Sequence, residues 1–413
     1  MSETPYFIQL KEAVEISCRT TIKTETETVP LDESHNRILA KDLSSLVDDP
    51  AFDNSAMDGF AVRSSDTFGA TKTNMVSLKN IDVSSAGSPS DLILKKGECI
   101  QCMTGAKIPK GADAIIMVED TSGFSNDESD QIKIEAKLGQ HIRKMGEEIN
   151  EGDTLIKKGT IISTSEMGVC ASSGYGELTV SKKPKVAIFA TGNELVEPGE
   201  NLKEGEIYNS NLFLFADLVN KAGSKVLMRN VIKDDKSSLK SFLFDALETC
   251  DVIISSGGVS MGRYDYVREV FIDLGVKEHF WKVAQKPGKP LFFGTNNKSL
   301  IFGLPGNPVS AYIGFMIWVW PVLKELMGSL KDQSVKGILS EPFPLETLKQ
   351  RYLFGQSWIE NGKLRCKAST KIGSHMLSSA LEANCILSAS KGKGFLKPGD
   401  FINVTMLPWK TIK

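Results

Sequence analysis

From residue 185 onward the sequence repeats one order: a short apolar run, a turn broken by glycine or proline, then a helical pattern. Residues 185–190 precede a helical pattern over 211–222 that ends at Gly223. Residues 225–231 precede one over 237–248, and residues 251–255 precede one over 264–274 closed by Gly275. Residues 299–303 lead into the apolar stretch 309–327. Strands alternating with helices in this way predict a doubly wound, mostly parallel sheet built from roughly 145 residues.

Three of the turns set polar groups beside glycine: Thr191-Gly192-Asn193-Glu194, Ser256-Gly257-Gly258-Val259-Ser260 and Pro305-Gly306-Asn307-Pro308. In a parallel sheet all three project from one carboxyl edge, where open α/β folds bind ligands. Glycine lets the backbone approach a ligand, and a helix start offers unpaired N–H groups to negative charge. The diglycine between Ser256 and Ser260 has a shape suited to wrapping amides around an oxyanion. Asn307 stands where a helix cap is expected, with Pro308 in the first turn. Lys286-Pro287-Gly288-Lys289-Pro290 carries two ammonium groups on a loop that its prolines stiffen. Together these segments predict a site for a phosphate-bearing or oxyanion substrate. No turn reads GxGxxG, which disfavours a dinucleotide site.

A chain of 413 residues exceeds one hydrophobic core, so two to four domains are expected. A net charge of −2 gives no general attraction to nucleic acid or anionic membrane, so an anion site has to be built locally. Residues 1–5 show no basic start before an apolar run, and no export signal is expected. The apolar run 311–323 is too short to span a bilayer and reads as a buried helix. Seven cysteines without framework spacing fit a reducing cytoplasm. Cys99 and Cys102 form a CxxC in a strand-like stretch and read as core packing rather than a redox or zinc pair. Four histidines, at 35, 141, 279 and 375, argue against a His-rich metal centre.

The expected architecture is therefore an α/β multidomain chain. Residues 1–181 form an N-terminal and linker region with a β-rich subdomain at about 53–149. Residues 182–328 form the doubly wound domain, and 329–413 a small C-terminal β domain. Thr4-Pro5 suits a helix start, followed by Phe7, Leu10, Val14 and Cys18 at helical spacing. A second short helix is expected over 33–40, and strands near 76–83, 98–103, 114–118 and 131–136. The acidic, serine-rich stretch 121–130 reads as a hairpin tip.

Two carboxylates carry open alternatives. Asp58, in Phe52-Asp53-Asn54-Ser55-Ala56-Met57-Asp58-Gly59-Phe60, is either part of a capped turn or a group presented to a ligand or metal. Asp265, near a helix start, either complements the helix dipole or holds a divalent ion beside bound phosphates.

Read together, the segments FDNSAMDGFAV from Phe52, MTGAKIPKGADAI from Met103, TGNEL from Thr191, GEIYNSN from Gly205, SSGGVSMGRYD from Ser255, KPGKP from Lys286 and GLPGNPVSA from Gly303 resemble the MoeA family of molybdopterin molybdenumtransferases, which includes the E domain of gephyrin. They occur in the family's order and cover residues from about 30 to 315, with a weaker echo at Gly373-Ser374-His375 and Ser378-Ser379. The resemblance implies insertion of molybdenum from molybdate into adenylylated molybdopterin, with cleavage of the phosphoanhydride, release of AMP and a requirement for Mg²⁺. It implies a homodimer with its cleft between the doubly wound domain of one subunit and the N-terminal part of the other. An upstream molybdopterin adenylyltransferase and molybdoenzyme maturation proteins are the implied partners, without nucleic acid or membrane.

By the same resemblance Asp58, Glu194 and Asp265 match functional carboxylates, with Lys286 and Lys289 drawing in oxyanions. Asp265, Glu148 and Asp58 become the expected metal contacts. Thr104, Arg143, Asn307 and Ser310 match cleft positions, joined by Thr191, Gly192, Ser256, Gly257, Gly258, Ser260, Pro305, Gly306 and Ser378. Three positions depart from the pattern: Glu148 and Asn193 stand where aspartate is usual, and Gln356 where an arginine is expected after Arg351. Two other readings are a nucleotide-pyrophosphate hydrolase sharing the α/β domain and a non-catalytic scaffold.

Overall fold

The computed structural model describes residues 8–124, 129–233, 235–258, 266–329 and 334–412. At its centre is a six-stranded sheet in the order Lys225–Ile232, Lys185–Thr191, Val252–Ser256, Leu300–Leu304, Phe292–Thr295, Lys277–Trp281. The first four strands are parallel and Phe292–Thr295 runs antiparallel to both of its neighbours, so the sheet is mostly parallel, and helices cover both faces. Val252–Ser256 and Leu300–Leu304 are buried at every position, as expected of strands covered on both sides.

On one face the long apolar segment Pro308–Leu326 packs with Asn211–Lys221; on the other lie Lys236–Thr249 and Val267–Asp273. Pro308–Leu326 is long and apolar enough to span a membrane, yet 72% of its most apolar window is buried inside the protein. Trp318, fully buried, meets the rings of Phe302 at 4.8 Å, Phe280 at 5.5 Å and Phe293 at 6.0 Å. Its indole N–H donates to Ser17 Oγ at 3.0 Å. Ser17 lies on the helix Leu10–Arg19, whose Leu10 and Ala13 join the same core. The first helix is thereby tied to the central sheet. Thr4-Pro5 and Phe7 lie outside the described residues.

The N-terminal region contains a five-stranded sheet in the order Ala114–Met117, Gly59–Val62, Glu98–Cys102, Val76–Ser84, Ser129–Ile132. Cys99 and Cys102, three positions apart on one strand, point to opposite faces and sit in different hydrophobic clusters. Burial pushes their thiols up to about 12 and about 11. Neither proton leaves readily, and the pair does not share one metal. The helix expected over 33–40 is absent: only the 3-10 turn Leu31–Glu33 forms. Ile38 and Leu39 instead make β-bridges to Ile161 and Val180, and buried Arg37 pairs with Glu27 and the Ser181 carbonyl. Strand partners far along the chain override the local helical pattern.

The C-terminal strands close on themselves. Gln350–Glu360 pairs with both Lys363–Ala368 and Cys385–Ala389, and Val335–Leu339 and Phe401–Met406 complete the ring. Closure removes free sheet edges, and Leu353, Cys366, Leu387 and Val404 fill the interior.

Trp318→Ala is expected to cost about 3–5 kcal/mol by emptying the central cluster. Chemical denaturation followed by near-UV dichroism checks this; a midpoint unchanged from wild type contradicts it. In the native protein at pH 8, iodoacetamide should leave Cys99 and Cys102 unlabelled, as peptide mass mapping reads directly.

Candidate active site

The register of the parallel strands sets the site. Ala190 lies opposite Ser256, and Ser256 opposite Leu304, so the three strands end level with one another. The chain leaves them by the Thr191, Ser256 and Pro305 turns, which meet. A Cβ placed on Gly258 would stand 2.9 Å from Thr191 Oγ1 and 2.3 Å from Val267 Cγ2; one on Gly306 would stand 3.8 Å from the Gly257 Cα. Gly257 and Gly258 have φ of 83° and 70°, a region that favours glycine, so packing and backbone both require glycine at 258. Gly257 N–H donates to the Leu304 carbonyl at 3.0 Å and locks the second turn onto the third strand.

Around these turns is a cleft of about 660 Å³. It is lined by Thr191, Gly192, Glu194, Ser256, Gly257, Gly258, Gly306 and Asn307, together with Tyr208, Asn209, Asn211 and His375. Glu194 is the one acidic side chain among the described residues of its lining. Its carboxylate folds back over Gly192, within 2.5–2.7 Å of where a Cβ on that glycine would lie. Asn307 occupies the cap position of the Pro308 helix but makes no side-chain cap bond, which differs from the expectation. The Ser374 carbonyl takes the Val309 N–H instead, and the amide of Asn307 is left to the cleft.

Asn211, the last residue of the GEIYNSN segment, joins the site although the sequence pattern does not single it out. It is nine-tenths buried, and its Nδ2 donates to Ser256 Oγ at 2.7 Å and to the Gly306 carbonyl at 2.6 Å. One side chain thus ties the second turn to the third. Asn209 donates to Glu197 and accepts the Leu212 N–H through Oδ1. In sequence, asparagines before a helix read as caps; the Asn209-Ser210-Asn211 cluster was the available signal.

The Lys286 loop adjoins the third turn. A Cβ on Gly288 would come within 3.6 Å of Pro305 Cγ and 3.5 Å of the Ser310 carbonyl. Lys286 pairs with Glu346, and Ser310 is buried in the first turn of its helix. Ser378 accepts from Lys371 Nζ at 3.0 Å. Gln356, where an arginine was expected, binds the Glu382 carboxylate at 3.1 Å.

A separate group stands on the β-rich subdomain. Asp58 accepts from the Thr104 N–H at 2.7 Å and from its hydroxyl at 2.9 Å. These bonds hold the exposed carboxyl below the usual carboxylate range. Arg143 lies opposite Asn54 in a short antiparallel pair, and the Glu148 N–H donates to the Asp49 carbonyl. None of Asp58, Thr104, Arg143 and Glu148 lines the central cleft. Ser260 and Asp265 fall outside the described residues. Among the described residues no cluster of three His, Cys, Asp or Glu side chains is placed to hold a metal.

Residues 8–174 match the MoeA N-terminal region (domain I and II), residues 187–325 a probable molybdopterin binding domain, and residues 336–407 the MoeA C-terminal region (domain IV). A molybdopterin molybdenumtransferase of Staphylococcus aureus is 34% identical over 401 residues, covering 97% of this chain and 95% of its own length. The chain belongs to the MoeA family. A molybdopterin molybdenumtransferase of Staphylococcus epidermidis is 33% identical over the same span. The crystal structure of the molybdopterin biosynthesis MoeA protein of Pyrococcus horikoshii OT3 superposes with a TM-score of 0.82 at 30% identity, covering 97% of this chain and all of that one.

Asn211→Ala is expected to weaken pyrophosphate binding about tenfold or more, because the second and third turns lose their tie, and to destabilise the protein by about 1–3 kcal/mol. Calorimetric titration with pyrophosphate reads the first and thermal unfolding the second; wild-type affinity would remove Asn211 from the site.

Proposed function

We propose that this chain inserts molybdenum from molybdate into adenylylated molybdopterin, cleaving the phosphoanhydride and releasing AMP and the mature cofactor. The observation that carries the reading is the convergence of three glycine turns on one cleft, in a chain matched nearly end to end by molybdopterin molybdenumtransferases. A phosphoanhydride and molybdate both carry multiple negative charges. Oriented donors and nearby cations lower the barrier to bringing them together.

In this reading the chain's own residues divide the work. The Thr191, Gly257–Gly258 and Gly306–Asn307 turns hold the phosphates, with Asn211 keeping the last two in register. Lys286 and Lys289 attract the oxyanion from the adjoining loop. Glu194 supplies a hard oxygen donor beside this anion cradle, which suits Mg²⁺, an ion that takes one or two carboxylates together with substrate oxygens. Asp265 would be a second donor. When bound, Mg²⁺ offsets charge on the phosphoanhydride and makes the bridging oxygen a better leaving group.

Asp58, Thr104, Arg143 and Glu148 stand apart from the cleft of their own chain, which supports a homodimer in which a second copy brings them to it. The substrate would come from a molybdopterin adenylyltransferase and the product would pass to molybdoenzyme maturation proteins. The seven free cysteines favour a cytoplasmic setting.

Molybdate-dependent AMP release from adenylylated molybdopterin tests the reaction, and mixed dimers test the shared site. Asp58→Ala and Asp265→Ala should each be inactive alone. Random mixing should restore about a quarter of wild-type activity, since half the dimers then carry one intact site of two. No recovery on mixing contradicts the shared site, and no AMP release by the wild type contradicts the reaction.

A further inference from the structure

Gln285 and Lys286 pair in parallel with Gln350 and Arg351, so the lysine loop is seated on the C-terminal barrel with two cations side by side. One carboxylate faces both. Glu346 Oε1 lies 2.5 Å from Lys286 Nζ and 3.6 Å from Arg351 Nη1. The Arg351 side chain is 5% exposed, and its Nε has no hydrogen-bond partner among the described residues. A buried guanidinium with a donor to spare marks a place prepared for more negative charge than one carboxylate brings.

Glu346 is not a wandering surface acid. Its carbonyl accepts the Gly392 N–H at 2.8 Å, and the neighbouring Leu345 N–H donates to the Gly394 carbonyl at 2.9 Å. The Leu345 side chain packs where a Cβ on Gly392 would fall. The hydrogen bond from Lys286, with lesser help from Arg351 and Lys349, holds the carboxyl below its usual range, against a smaller opposing effect of burial. The acid is charged at neutral pH and its backbone is fixed. Rotation of the Glu346 side chain alone would withdraw its carboxylate from both cations.

We propose that Glu346 is a built-in competitor for the oxyanion substrate: its carboxylate occupies the Lys286–Arg351 pair until a doubly charged tetrahedral oxyanion displaces it. The inference rests on the reading of Lys286 as an oxyanion-attracting cation and adds the group that sets its threshold. A tethered carboxylate competes at an effective concentration of millimolar order or above, so singly charged anions at lower concentration leave it in place. A dianion gains about twice the Coulomb energy from the same two cations and prevails. Selection is by charge rather than by size, and it works by making the wrong anion compete with the protein itself.

Calorimetric titration with molybdate and with perrhenate, a tetrahedral oxyanion of similar size carrying one charge, tests this. Wild-type protein should bind molybdate and show little heat with perrhenate. Glu346→Gln, which keeps the shape and removes the charge, should tighten molybdate about tenfold and bring perrhenate into the measurable range. Glu346→Ala should do the same, which guards against an effect peculiar to the amide. Unchanged or weaker molybdate binding in both variants, with wild-type melting temperature, overturns the proposal. Lys286→Ala separates it from the reading beneath. If that variant loses molybdate while the Glu346 variants gain nothing, the competitor alone fails. If Lys286→Ala keeps wild-type affinity, or no protein binds molybdate, the oxyanion reading fails with it.

Discussion

The hydrogen-bond register between three parallel strands is the constraint on which the rest depends. Lys185–Thr191, Val252–Ser256 and Leu300–Leu304 are neighbours in the sheet and finish at one level, with Ala190, Ser256 and Leu304 abreast. A slip of one residue in any of them would turn its buried side chains to the opposite face and carry its turn out of line. These largely buried strands resist that slip because both faces are packed, one on the Trp318 cluster and the other on Phe189, Phe271 and Phe292. Core packing therefore positions the anion cleft, and Ala190 of that core forms part of its lining.

Positive φ at Gly257 and Gly258 then lets the second turn fold against Thr191 and the Val267 helix, and Asn211 closes the gap to Gly306. The cleft is built mainly from backbone and neutral side chains, consistent with a chain whose net charge is −2. Cations enter from the side, on a loop held jointly by the central domain and the barrel through the Lys286–Arg351 pairing. Each module thus contributes one kind of group: donors from the sheet edge, positive charge from the loop, and a hydrogen-bonded carboxylate at Asp58 from the β-rich subdomain.

The alternation of strands and helices was legible because the central strands are continuous apolar runs bounded by glycine, and the three turns were legible for the same reason. The antiparallel edge, Lys277–Trp281 and Phe292–Thr295, was not. Its strands are separated by the proline-rich lysine loop and find each other only through the sheet. The segment 33–40 misled because its local pattern is helical, while its partners, Ile161 and Val180, lie more than a hundred residues away. Asn211 was hidden by looking like an ordinary helix cap. Glu346 carried no signal at all, since a lone glutamate between Leu345 and Thr347 acquires meaning only when the barrel brings it to Lys286.

A crystal of the protein soaked with AMP and molybdate tests the central claim most directly. The account predicts the AMP phosphate against the Thr191–Gly192, Gly257–Gly258 and Gly306–Asn307 turns, with molybdate beside the Lys286 loop. A second cleft, lined by Lys183, Lys185 and Lys298, lies at the amino ends of the same strands. AMP phosphate bound there, with the glycine turns untouched, would contradict it.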